Sequence, residues 1–242
     1  MTIFAVELSN SGAPLLISTV LVLFVQRQTL YPASTPLHSG AGSSAPIARS
    51  HSLFLLLLVA ATLYGFSFYN LGYPILTATG SHPSTLAFAA GVGIYVVYLG
   101  ISALSGYTLG VQRLSPLRPL WLLGYLPSAL GSAFMALSVL LGMPELAYYG
   151  AVAILGLGMG AVETFEPTLV SALVKSNTLS RGMGFLSVSR SIGQLISNLV
   201  MGFLFTVNPA SPYLYAFVAS LLATVVLMGA DLHYGHKMLQ IP

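Results

Sequence analysis

Two carboxylates and one guanidinium stand inside otherwise uncharged apolar sequence: Glu163, Glu166 and Arg190. Glu163 and Glu166 are three residues apart in a stretch free of other charge from Leu146 to Val174, so on a helix they are near neighbours on one side. Arg190 belongs to a run in which Ser187, Arg190, Gln194, Ser197 and Asn198 recur at helical spacing, which gives that helix one continuous polar face. An arginine at bilayer depth costs about 2.5 kcal/mol or more unless it is paired. Arg190 lies eight residues in from Gly182, and Glu166 eight residues in from Val174. At a rise of about 1.5 Å per residue both come roughly 12 Å below the same surface. Equal depth predicts a Glu166–Arg190 ion pair and leaves Glu163 about one turn deeper without a partner. A carboxylate so placed can load and release a proton, the chemistry that coupled transport requires.

Other polar stripes run with these charges. Thr62, Tyr69, Tyr73 and Thr77 fall on one face at helical periodicity, with Asn70 beside them and Pro74 able to kink the helix. Tyrosines at span ends form interfacial belts, but Tyr69 and Asn70 stand well inside the stretch, so the face reads as a cavity wall. With Glu163, Gln194 and Asn198, those five residues make up the expected cavity lining. Tyr95, Tyr98, Ser102 and Ser105 also share a helical face, where packing through small hydroxyls is at least as good a reading. Gly156 and Gly160 lead at spacings of four and three into Glu163, and then to Pro167. The default meaning of such a GxxxG pair is close approach of another backbone.

The elements that must hold these residues are membrane helices. Only 5% of the 242 residues are charged and 56% are hydrophobic, with a mean hydropathy of +0.87, whereas soluble domains carry roughly a quarter charged residues. A span needs about 20 mostly apolar residues. Seven stretches qualify as candidates: Ile3 to Gln26, Ser52 to Thr79, Leu86 to Gly110, Pro119 to Gly142, Leu146 to Val174, Gly182 to Val207 and Tyr213 to Leu232. The first is the weakest, since its clean apolar part is short and its extension carries Glu7 and Asn10. The expectation is therefore an all-α polytopic bundle: a first span over 1–26, a flexible linker rich in Ser, Pro and Gly over 27–51, six helices over 52–232, and a tail over 233–242.

Arg27 and Arg49 flank the linker, Arg113 and Arg118 fall in one short connection, Lys175 and Arg181 in another, and Lys237 in the tail. All lie on one side of such a bundle, while the opposite side holds Glu7 and Glu145 and no basic residue. The positive-inside rule then places the linker and the C-terminus in the cytoplasm. The formal net charge of +3 is thus topology information; the basic residues are scattered singly, without the stripe that nucleic-acid binding needs. With no cysteine, disulfides, thiolate metal sites and cysteine nucleophiles are excluded. The histidines His38, His51, His82, His233 and His236 sit in connections or the tail and Asp231 stands alone, so no intramembrane protease motif is present and no metal or cofactor is expected. Beyond the tail's Lys237 there is no lysine near the last span for a retinal Schiff base, although a receptor or a degenerate transporter fragment stays open as the alternative reading.

Three stretches give the chain a resemblance to a known family: SGYTLGVQRLSPLRPLWLLGYL, LGLGMGAVETFEPTLVSALV and SRGMGFLSVSRSIGQLISNLVMGFLF. They resemble the C-terminal half of a major facilitator superfamily transporter, the first through Gly106, Arg113 and Arg118 of that family's cytoplasmic signature loop, whose acidic position here holds Gly110 or nothing. The resemblance implies one six-helix repeat of two three-helix units, preceded by the last helix of the other half. It implies a secondary transporter, symporter or antiporter, with its first and second helices of each unit at the cavity and the half-to-half interface and its third helices peripheral. The last segment fits a lipid-facing position, and the fourth fits less cleanly because of Tyr125 and Ser128. The implied partners are the lipid bilayer, a small solute, and a missing N-terminal half or a second copy of the chain, since one repeat encloses half of an alternating-access cavity.

Overall fold

The computed structural model describes residues 47–68, 72–79, 85–112 and 114–238, and the described residues are helical with no strand. The helices are α1 (Ile47–Ser67), α2 (Gly72–Thr79), α3 (Thr85–Val111), α4 (Leu117–Leu140), α5 (Glu145–Leu173), α6 (Leu179–Val207) and α7 (Ser211–Met238). Six stretches are long and apolar enough to cross a bilayer, the first running from α1 into α2 and the others being α3 to α7. This marks the chain as a membrane protein, because only a helix satisfies its own backbone groups in hydrocarbon without a closed barrel. The expected first span at 1–26 and most of the linker lie outside the described residues. α1 begins at Ile47, inside the stretch read as linker, and α7 runs on to Met238, well into the stretch read as tail.

Local chemistry sets the breaks. α1 closes on Ser67, whose hydroxyl donates to the Tyr64 carbonyl at 2.6 Å, while the Phe68 N–H reaches the Gly65 carbonyl at 3.2 Å. Pro74 then falls in the first turn of α2, where its missing N–H would have had no helical acceptor. Within the one span expected over 52–79, Thr62 therefore lies on α1 and Tyr73 and Thr77 on α2. In α4, Pro127 cannot donate to Leu123, and the turn ahead of it widens to π geometry over Leu120–Tyr125, with the Leu126 N–H bonded to the Trp121 carbonyl. Between α6 and α7 the Asn208 side chain accepts from the Ala210 N–H at 2.8 Å and turns the chain.

α3 packs along α5, α1 lies on α6 and α7, and α4 lies on both α5 and α7. Close approach is bought by glycine: a Cβ at Gly156 would stand 2.6 Å from the Tyr98 carbonyl, and one at Gly160 would meet the Ser102 carbonyl. Ser105 donates across the same crossing to the Leu157 carbonyl at 2.9 Å. Gly106 is thereby placed inside α3 and against α5 rather than in a signature loop, with its carbonyl accepting from Thr164 at 3.4 Å. α7 also differs from the expectation of a lipid-facing helix. Tyr213, Ala216, Ser220, Ala223, Thr224 and Leu227 line up on a buried face, and Leu214, Val218, Leu221, Leu222 and Val225 on an exposed one.

Candidate functional site

Glu166 occupies the centre of the buried polar chemistry and is fully enclosed. One carboxylate oxygen, Oε2, is paired with Arg190 Nη2, and the other, Oε1, accepts the Tyr125 hydroxyl at 2.6 Å. Each partner is delivered by a separate device. The π turn of α4 carries Tyr125 inward, and Tyr64 from α1 stacks on its ring, centroids 4.6 Å apart and planes 8° from parallel. Ser128 gives its proton to the Gly124 carbonyl at 2.9 Å and so accepts the Tyr64 hydroxyl at 3.1 Å. Arg190 is pressed onto α1 at its own backbone, where a Cβ on Gly65 would stand 2.6 Å from the Arg190 carbonyl. The charges therefore meet where four helices converge, both lobes of the carboxylate are filled, and the pair is locked by shape as well as by attraction.

Glu163 is placed differently. It is exposed, and it has no hydrogen bond or ion pair among the described residues. It opens onto a cleft of about 560 Å³ between α5 and α6, whose polar lining is Glu163, Ser187, Arg190, Ser191 and Gln194 and whose apolar walls include Phe68, Met159 and Leu186. Pro167, on the same cleft, interrupts α5 four residues beyond Glu163 and has no N–H for the Glu163 carbonyl.

Of the residues expected to line one cavity, Glu163 and Gln194 share this cleft. Tyr73 and Asn198 line a second hollow of about 360 Å³, joined by a 3.3 Å bond from the Tyr73 hydroxyl to the Asn198 carbonyl. Thr62 and Thr77 line neither: Thr62 donates to the Leu58 carbonyl of its own helix at 2.8 Å, and Thr77 bonds the Tyr213 hydroxyl at 2.7 Å to tie α2 to α7. Tyr69, Asn70 and Arg113 lie outside the described residues. Arg118 is exposed in the first turn of α4. Tyr125, which holds Glu166, is the residue of this cluster that sequence reasoning placed only as a misfit in its span. Its signal was the pairing of a mid-span hydroxyl with a proline two residues on, which allows the widened turn.

Glu166 and Arg190 pair with each other in a fixed frame, and Glu163 has no ion-pair partner among the described residues. No protein-family model, no curated protein and no solved structure matches the chain.

Proposed function

We propose that this chain is a six-helix half of a secondary solute transporter of the major facilitator type, working by alternating access with proton coupling through Glu163. The observation that carries the reading is the open, unpartnered Glu163 on a polar cleft held in mid-span by a neutralised pair. A carboxylate facing lipid would be strongly unfavourable, so a water-filled pathway is the environment that suits it.

The packing order adds support. The first span lies on the fifth and the second on the fourth; the first lies on the sixth, the third on the fourth, and the third on the sixth. Exchanging the first three spans with the last three maps this set of pairs onto itself, the pattern that two inverted three-helix units produce. α6 turns Phe185, Val188, Ile192, Leu195, Leu199 and Phe203 outward, an apolar face suited to lipid or to a second half of the transporter. In this reading the basic connections and the C-terminus lie in the cytoplasm.

Proteoliposomes holding the chain and a trapped pH indicator test the proposal, with solutes added one at a time. A transported solute drives proton movement with wild-type protein, and Glu163→Gln lowers that flux at least tenfold. Equal solute-driven proton flux in the two proteins would remove Glu163 from the coupling step.

A further inference from the structure

We infer that the solute taken by the α5–α6 cleft is an amphipathic organic cation. The inference rests on the transporter reading of the cleft and adds the class of solute to it.

Arg190 at first sight argues for an anion. Its charge, however, is committed: Nη2 is held by Glu166, whose second oxygen is held by Tyr125, so neither carboxylate lobe is left to be displaced by a solute. The guanidinium Nε is buried and has no hydrogen-bond partner in the described structure. Nε is thus closed to a solute, while the part of the guanidinium that lines the cleft belongs to a group already neutralised by Glu166. Glu166 and Arg190 therefore cancel, and the charge left on the cleft is that of Glu163, a net of minus one.

The walls select among cations. A small metal ion needs about six oxygen ligands at close range, which one carboxylate in a cleft of about 560 Å³ does not provide. That volume falls in the range of about 300–1,000 Å³ that organic ligands occupy. Phe68 offers an aromatic ring, and Met159 and Met183 offer soft, adaptable surface on the same cleft. These suit a delocalised or alkylated cation better than a hydrated one. Proton and solute then compete for one carboxylate, so exchange of one for the other is the natural coupling. The charged and titratable groups that bear on this carboxylate are Glu166 on α5, Tyr64 on α1 and Tyr98 on α3, with Arg190 of α6 on the same cleft.

Tetraphenylphosphonium and tetraphenylborate, nearly identical in shape and opposite in charge, provide the test by equilibrium binding to the purified full chain in nanodiscs. After subtraction of binding to empty nanodiscs, the expected result is at least tenfold tighter binding of the phosphonium. Glu163→Gln removes that preference, Glu163→Asp retains it, and acidification weakens phosphonium binding only where the carboxylate is present. Equal or tighter binding of the borate, or an unchanged preference in Glu163→Gln, overturns the inference. Displacement of the phosphonium by sodium chloride but not by choline chloride at equal ionic strength also overturns it, in favour of an inorganic ion. The two readings fail separately. Glu163-dependent phosphonium binding without solute-driven proton flux removes the transport reading and keeps the cation site, whereas coupled flux without a charge preference does the reverse.

Discussion

Glu166→Ala is expected to destabilise the bundle by about 3–5 kcal/mol, the cost typical of stranding one member of a buried ion pair. The size follows from what the carboxylate holds. It is fully buried, its removal leaves Arg190 uncompensated, and the Tyr125 hydroxyl loses its acceptor at the same time. The cost belongs to the stranded charge rather than to a net gain from the pair, so Glu166→Leu combined with Arg190→Met should recover most of the loss. Reversible unfolding by SDS in mixed micelles measures both. A single-variant loss below about 1 kcal/mol, the level of a solvent-exposed pair, would mean that the pair is wet and that the locked frame around it does not exist.

The second large effect is expected at Gly160. An alanine Cβ there would meet the Ser102 carbonyl, with Gly106 N at 2.8 Å and Ser105 Cβ at 2.9 Å. These neighbours all belong to α3 and two are backbone atoms, so no rotamer change relieves the contact; α3 and α5 must move apart. Gly160→Ala should therefore cost about 1–3 kcal/mol, as overpacking commonly does, and it should weaken the Ser105 and Thr164 bonds that cross the same interface. Gly184 on α6 is the matched control, since a Cβ there meets nothing within 4 Å. Gly184→Ala should be neutral or gain up to about 1 kcal/mol from helix propensity. The same SDS titration reads both, and equal behaviour of the two glycines would refute the close α3–α5 crossing.

How far the sequence could foresee this depends on which force placed each residue. The ion pair was legible because lipid penalises an unpaired charge so heavily that equal depth on two helices nearly compels pairing. The GxxxG contact was legible for a similar reason, as small residues at that spacing have few other uses. Tyr125 was not, because its reach to Glu166 depends on a widened turn, and periodicity arguments assume regular α geometry. The break after Ser67 was missed because Pro74 reads equally well as a kink inside a helix or as the opening turn of a new one. The buried face of α7 was hidden by a more general effect. Lipid tails and protein interior are equally apolar, so an apolar helix gives little sign of which it meets; only Ser220 and Thr224, both buried, marked the inner side. The sequence pattern also gave no sign that the Thr62 hydroxyl bonds its own helix or that Thr77 ties α2 to α7.

The proposed transporter role requires that the cleft between α5 and α6 be reached in turn from both sides of the membrane. Because the chain has no cysteine, a single Gln194→Cys substitution places one reactive thiol in that cleft on a silent background. Right-side-out and inside-out vesicles from cells expressing this variant can be exposed to a membrane-impermeant maleimide. Alternating access predicts labelling of Cys at position 194 in both vesicle types, whereas labelling in one orientation only would contradict it.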